Sequence, residues 1–253
     1  MKIAVTVKQV PDPNGTPGLD SDNTLMRDRE VVLDPGDEYG IEEALQLKEK
    51  AGGEVVLVSM GPDKARDAIR KGLSMGADTG VLISDPQLAG ADALLTAKAL
   101  AAAIRAEGAD LVICATESYD GSTGMVPPML AELLGVPQLT FAKQVDVAGQ
   151  QLTVHRQTEA GYQVLEAELP ALVTVTAGIA EPRYASLKGI MAARSKEVKV
   201  MSLADLQVEP GRPAESVESI EEAAARAAGE IVEDDGSSGV ERIMAALTAA
   251  KVV

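Results

Sequence analysis

"GVLISDPQLAGADALLTAKALAAAIRAEGADLVICA", residues 80–115, holds in one stretch the alternation that decides the fold. "GVLIS" reads as a strand, "ADALLTAKALAAAIRAEG" as a helix and "ADLVICA" as the next strand. The same alternation runs outward on both sides. Towards the N-terminus lie the strand "KIAVTVK", the helix "DEYGIEEALQLKEKAG" ending at Gly52, the strand "EVVLVSM" closed by Gly61, and the helix "PDKARDAIRKGLSMGA" with Pro62 near its first position. Towards the C-terminus a glycine-containing loop opens the helix "TGMVPPMLAELLG". Strands and helices in strict alternation predict an α/β fold: a doubly wound, mostly parallel sheet with right-handed crossovers and helices on both faces.

The pattern changes at residue 137. Residues 137–178 hold four β-rich runs with turn signals at "AGQ" and "EAGY", which predict meandering antiparallel strands added to the sheet or lying beside it. Between Glu209 and Asp235 there are nine acidic and two basic residues, with Pro and Gly at the start, which predicts an extended or wrapping arm. The last piece, "VERIMAALTAAKVV", has helical periodicity and is expected to pack on something. The expected organisation is therefore an α/β domain over 1–206 and an acidic arm with a helix over 207–253.

Composition excludes several classes of function. A chain of 253 residues with 46% hydrophobic and 25% charged residues is an ordinary globular protein of one or two domains. A net charge of -16 and a pI near 4.5 argue against a nucleic-acid partner, which needs clustered Lys and Arg. "KIAVTVKQV" follows Met1 where a secretory leader would sit, and no apolar run reaches membrane-spanning length, so a cytoplasmic location without membrane insertion is expected. One cysteine, Cys114, and one histidine, His155, make neither a disulfide nor a zinc set; Cys114 reads as buried packing. No triad, paired-carboxylate or metal constellation stands out, so no catalytic residue and no metal ligand is assigned.

Three loops fall at the C-terminal ends of predicted parallel strands, where open α/β sheets bind ligands. They are "VKQVPDP" joined to the later "LDPGDEYG", "SMGPD" around Gly61, and "ESYDGSTG". In the last, Gly121 and Gly124 permit close backbone approach, and Ser122 and Thr123 offer hydroxyls and N–H groups at a helix N-terminus, a phosphate cradle that needs no lysine. The alternative is a plain strand-to-helix turn. A fourth segment, "EPRYASLKGIMAARSKEVK" (181–199), carries five basic residues against two acidic ones, with Leu187, Ile190 and Met191 at helical spacing. That pattern fits either a docking surface or a buried amphipathic helix.

Taken in order, "VKQVPD", "DEYGIEEALQLKEK", "VSMGP", "AIRKGLSMGAD", "SYDGSTG", "LGVPQLT" and "EPRYASLKGIMAARSKEV" closely resemble the β subunit of electron transfer flavoprotein, over roughly residues 1–206. The resemblance implies an adenine-nucleotide α-hydrolase-like sheet that binds a structural AMP, and a larger α subunit that holds the redox-active FAD. It implies electron transfer from acyl-CoA and other flavoprotein dehydrogenases, as in fatty acid β-oxidation, to a quinone oxidoreductase. By carry-over, Thr6, Val7 and Lys8 line the adenine side, Asp34 stands where many members have Asn, and Met60 with Gly61 closes the second loop. Ser118, Asp120, Gly121, Ser122, Thr123 and Gly124 hold the phosphate. Leu187 matches the leucine that anchors partner dehydrogenases, with Arg183, Tyr184, Ile190 and Met191 on the same recognition surface. Departures are the carboxylate at Asp34, "EAGY" in place of the family's "DGG", no aromatic residue in "PDPNG", and Gly189 where proline is more usual. Two other readings are an electron-bifurcating subunit with a second FAD in place of AMP, and a stand-alone adenine-nucleotide-binding protein of the stress-protein kind.

Overall fold

The computed structural model describes residues 1–15, 18–21, 23–26, 30–211, 213–215, 217–221, 229, 231, 236 and 238–253. They fall into two units, Met1–Glu218 and Ser219–Val253. Much of the acidic stretch 209–235 lies outside the described residues.

In the first unit the parallel strands and their helices appear in the expected order. These are β1 (Lys2–Thr6), α1 (Pro35–Ala51), β4 (Glu54–Met60), α2 (Arg66–Met75), β5 (Thr79–Ile83), α3 (Ala93–Glu107), β6 (Leu111–Ala115) and α4 (Val126–Leu134). A short antiparallel pair, β2 (Gln9–Pro11) and β3 (Val31–Leu33), returns the chain from the end of β1 to the start of α1. Beyond α4 come β7 (Gln138–Ala148), β8 (Gln151–Thr158), β9 (Gly161–Glu168), β10 (Ala171–Val175), α5 (Leu187–Ala193) and β11 (Val198–Met201). Among the described residues nine strands form one sheet in the order β11-β5-β4-β1-β6-β10-β7-β8-β9.

The continuous apolar strands are explained by cover on both faces. Ile3, Val5, Val55, Leu57 and Ile113 pack under α1 and α2, while Ala4, Val56, Val58, Val112 and Cys114 pack under α3 and α4. Residues 137–178 form the expected meander in β7, β8 and β9 and depart from it at β10. β7, β8 and β9 pair antiparallel in turn, but β7 runs parallel to β10, and β10 is inserted between β6 and β7 with both neighbours parallel. The reason is burial: all five residues of β10 are buried, so the strand needs partners at both edges and cover on both faces. Most of β9 is exposed, and it takes the edge. The turns at "AGQ" and "EAGY" join β7 to β8 and β8 to β9 as expected.

Three aspartates hold this framework by the same device. Asp34 and Asp92 cap α1 and α3, and Asp85 caps a single 3₁₀ turn at Pro86–Leu88. Each carboxylate uses its second oxygen on a distant backbone N–H: Asp34 on Tyr119 at 2.7 Å, Asp92 on Ala214 at 2.6 Å, Asp85 on Leu203 at 3.2 Å. A helix cap thus doubles as a tie between segments that the sequence separates widely. In the second unit, α6 (Ser238–Ala249) is a helix with no buried residue; Val240, Ile243 and Met244 are exposed.

Candidate functional site

The chain leaves β1 in two directions: through α1 to β4 on one side, and across from β5 through α3 to β6 on the other. The strand order therefore reverses between β1 and β6, which opens a crevice at their carboxyl ends where open α/β sheets take ligands. Thr6 ends β1 at this point with Val7 and Lys8 just beyond it, Ser118–Gly124 follow β6, and Met60 ends β4, the other neighbour of β1, with Gly61 next.

The residues around the crevice are linked to one another. Lys8 Nζ donates to Asp120 Oδ1 at 2.6 Å and to Ser118 Oγ at 3.2 Å, tying the end of β1 to the loop after β6. The Lys8 backbone N–H donates to Asp37 Oδ2 at 2.7 Å, and the Asp34 N–H donates to the Lys8 carbonyl at 2.9 Å. Asp34 is buried, accepting from Gly36 N–H at 2.8 Å and Tyr119 N–H at 2.7 Å. Burial pushes the Asp34 carboxyl up, against the two backbone N–H groups that favour its charged form. Burial pushes Asp37 further up, with the neighbouring Asp34 adding to it. Asp34 and Asp37 thus accept from backbone N–H groups and Asp120 from Lys8, so each of these carboxylates already has a donor.

Donors for an anion come from the loop. Gly124 adopts φ +61° and Ser122 φ +46°, folding residues 118–124 back so that Ser122 N–H donates to the Ser118 carbonyl at 2.9 Å. Gly121, Ser122 and Thr123 remain exposed. The helix that follows, α4, carries no side-chain cap at Met125, and Pro127 and Pro128 bring no N–H groups. Met129 N–H already donates to the Met125 carbonyl at 3.2 Å, so this first turn has few N–H groups to offer, and the donors expected at a helix N-terminus are left to the loop itself. Cys114, near the end of β6, is buried in the core, and burial pushes its thiol up to about 12, opposed by a hydrogen bond with Thr6.

The segment 181–199 presents an exposed apolar face. Tyr184 is 94% exposed, Leu187 76%, Met191 65% and Ile190 45%, and in α5 only Ala193 is buried. The alternative of a buried amphipathic helix does not describe this segment. Ser186 caps α5, its Oγ accepting from Gly189 N–H at 3.0 Å. Two of the five cations point inward. Arg183 lies on α1, donating to Glu42 and Glu49 at 2.6–2.9 Å. Lys196 donates to the carbonyls of Leu73 at 3.0 Å and Ala77 at 2.5 Å at the end of α2. In return Arg70 of α2 donates to the Ala193 carbonyl and, at 2.6 Å, to that of Lys196. Gly189 allows α5 to lie this close, since a Cβ there would stand 2.4 Å from the Ser74 carbonyl oxygen.

Sequence reasoning missed Asp37, Glu42, Glu49 and Arg70. All four lie on helices, and helical periodicity does not separate a solvated charge from one that a distant segment covers. The nearest available signal was the doublet Glu42–Glu43 in α1, which places two carboxylates where the helix turns from solvent towards the sheet; both are buried.

Comparison with known proteins gives a consistent result. A model of the electron transfer flavoprotein domain matches residues 22–206. "Electron transfer flavoprotein subunit beta" of Mycobacterium bovis is 43% identical, covering 99% of both chains. The protein of the same description from Megasphaera elsdenii is 36% identical over the whole of both chains. "Acryloyl-CoA reductase electron transfer subunit gamma" of Anaerotignum propionicum is 39% identical over 83% of this chain and 80% of its own.

Proposed function

This chain belongs to the electron transfer flavoprotein family as a relative of its β subunits, and from that premise we propose that it is the nucleotide-binding half of a heterodimeric electron carrier. Its partner is an α subunit that holds most of the FAD. The flavin supplies the redox chemistry, and this chain supplies a structural AMP site and the surface that docks acyl-CoA and other dehydrogenases before electrons pass to a quinone oxidoreductase.

The observation that carries the nucleotide reading is the crevice between β1 and β6. Its carboxylates are already satisfied by Lys8, Gly36 and Tyr119, while Gly121, Ser122 and Thr123 of the loop are exposed. Such a set suits one phosphate, with Thr6, Val7 and Lys8 lining the base and Met60 and Gly61 closing the far side. Exposure of Leu187 beside Tyr184 and Met191 supports the docking reading, since an aliphatic anchor desolvated in a partner's pocket gives a contact that forms and breaks readily. The arm and α6, with Val240, Ile243 and Met244 exposed, are read as elements that pack on the α subunit.

The test is the identity and amount of nucleotide released by acid from the heterodimer co-expressed with its α subunit. One FAD and one AMP per heterodimer is the expected result. Two FAD would replace the structural AMP with a second redox group in the same crevice, and a chain carrying nucleotide without any α subunit would return the stand-alone reading.

A further inference from the structure

Leu187 and Met191 are exposed, and α5, which carries them, is seven residues long. A helix of that length has little stability of its own, so its conformation depends on its Ser186 cap, its seat on α2 at Gly189 and the ties at its two ends. The C-terminal end is held by the exchange of Arg70 and Lys196 between α2 and α5. The N-terminal end is held by Arg183 alone among the charged side chains of 181–187. Its guanidinium sets Nε on Glu42 Oε2 at 2.8 Å and Nη2 on Glu42 Oε1 at 2.9 Å, a planar fork on one carboxylate, and Nη1 on Glu49 Oε1 at 2.6 Å. The backbone N–H of Arg183 adds a bond to Glu42 Oε2 at 3.1 Å. The Glu42 side chain is 5% exposed and is also held by Gln46 Nε2 at 3.0 Å. A lysine could not reproduce this fork.

We propose that Arg183 is a positioning residue: its clasp on Glu42 and Glu49 fixes the entry to residues 184–193, so that Leu187 and Met191 reach the partner already ordered. The proposal rests on the docking reading above. Its physical basis is the entropy of association: a segment ordered before encounter loses less freedom on binding, so the same apolar contact yields tighter docking. Of the clasp only Glu42 is buried, and a pair of this kind adds little net stability while its loss leaves a buried carboxylate without its partner, which suits positioning better than general stabilisation. Burial alone would raise the Glu42 carboxyl; the hydrogen bonds from Arg183 and Gln46 outweigh it and hold the group below its ordinary value, in keeping with a charged clasp.

The experiment uses the heterodimer with its α subunit and compares Arg183→Ala, Arg183→Lys and Leu187→Ala. Amide hydrogen exchange is read over residues 187–193 and over α1. KM and kcat are read with an acyl-CoA dehydrogenase that uses the heterodimer as electron acceptor. Arg183→Ala is expected to speed exchange in 187–193 about tenfold while leaving most of α1 unchanged, and to raise KM about fivefold with kcat unmoved. Arg183→Lys falls between it and the parent, and Leu187→Ala raises KM without changing exchange. Should Arg183→Ala fail to fold because Glu42 is left bare, the Arg183→Ala/Glu42→Gln pair removes clasp and charge together and is read the same way. Unchanged exchange in 187–193 overturns the proposal, as does faster exchange with an unmoved KM when Leu187→Ala has raised KM. An unmoved KM in both variants overturns it through the docking reading on which it rests.

Discussion

The loop 116–125 and the segment 181–199 are both connections of one sheet, and they handle their side chains in opposite ways. In the loop polar groups are tied to neighbouring elements: Ser118 and Asp120 each accept from Lys8, and the Tyr119 N–H donates to Asp34, while small hydroxyl residues stay outside. In the segment the cations Arg183 and Lys196 turn inward and the large apolar side chains stay outside. One surface suits a small polar ligand, the other an apolar pocket on a protein. Both are tied to the same helix: Asp34 at the N-terminus of α1 accepts from the loop, and Glu42 and Glu49 along its length accept from the segment.

The strongest way to break this comparison is to remove the tie of the loop. Asp34→Ala strands the N–H groups of Gly36 and Tyr119, and should cost about 3 kcal/mol in a denaturant titration and lower nucleotide retention. A cost below about 0.5 kcal/mol, the usual size of a surface change, would show that the loop does not depend on α1.

Glu42 and Glu43 sharpen the comparison within α1. Glu42 is paired, whereas burial pushes the Glu43 carboxyl up to about 7, with Asp146 and Glu42 adding and Lys50 opposing. The unfolded chain releases that proton near 4.5 and the folded chain near 7, so the folded state binds more protons in between and stability falls as pH rises across that window. Glu43→Gln should therefore gain about 2–3 kcal/mol at pH 8 and nothing at pH 4. Parallel denaturation curves at both pH values would refute this.

A smaller effect is expected at the contact of α5 with α2. Gly189→Ala brings a Cβ to 2.4 Å from the Ser74 carbonyl oxygen and should cost about 1–2 kcal/mol, with faster amide exchange confined to α5. Unchanged exchange there would mean that α5 does not need its close seat. The smallest stability change belongs to Leu187→Ala: at 76% exposure its loss should stay within about 0.5 kcal/mol, while dehydrogenase docking weakens. Equal loss of both would make Leu187 a packing residue.

The fold was legible because apolar runs on a doubly covered sheet and amphipathic helices leave local periodicities, and residues 80–115 carried both. The loops of the crevice were legible too, since a parallel sheet delivers them to one edge and their glycine and hydroxyl content is local. The place of β10 was not: "ALVTV" announces a buried strand, but the order of insertion between β6 and β7 depends on which edge was left open by strands distant in the chain. Arg183 shows the same limit at a site. Its sequence neighbours Tyr184 and Leu187 are exposed, yet its own side chain lies on carboxylates more than a hundred residues earlier.

The sequence by itself determined the layered α/β architecture, the crevice loops and the family, because each is written in the order and spacing of nearby residues. The tertiary structure decided which charges are used inside and which apolar groups are left outside. A side chain's pairing is a long-range property: whether Asp34, Glu42, Arg183 or Lys196 meets water or a partner depends on the elements that the completed sheet brings beside it.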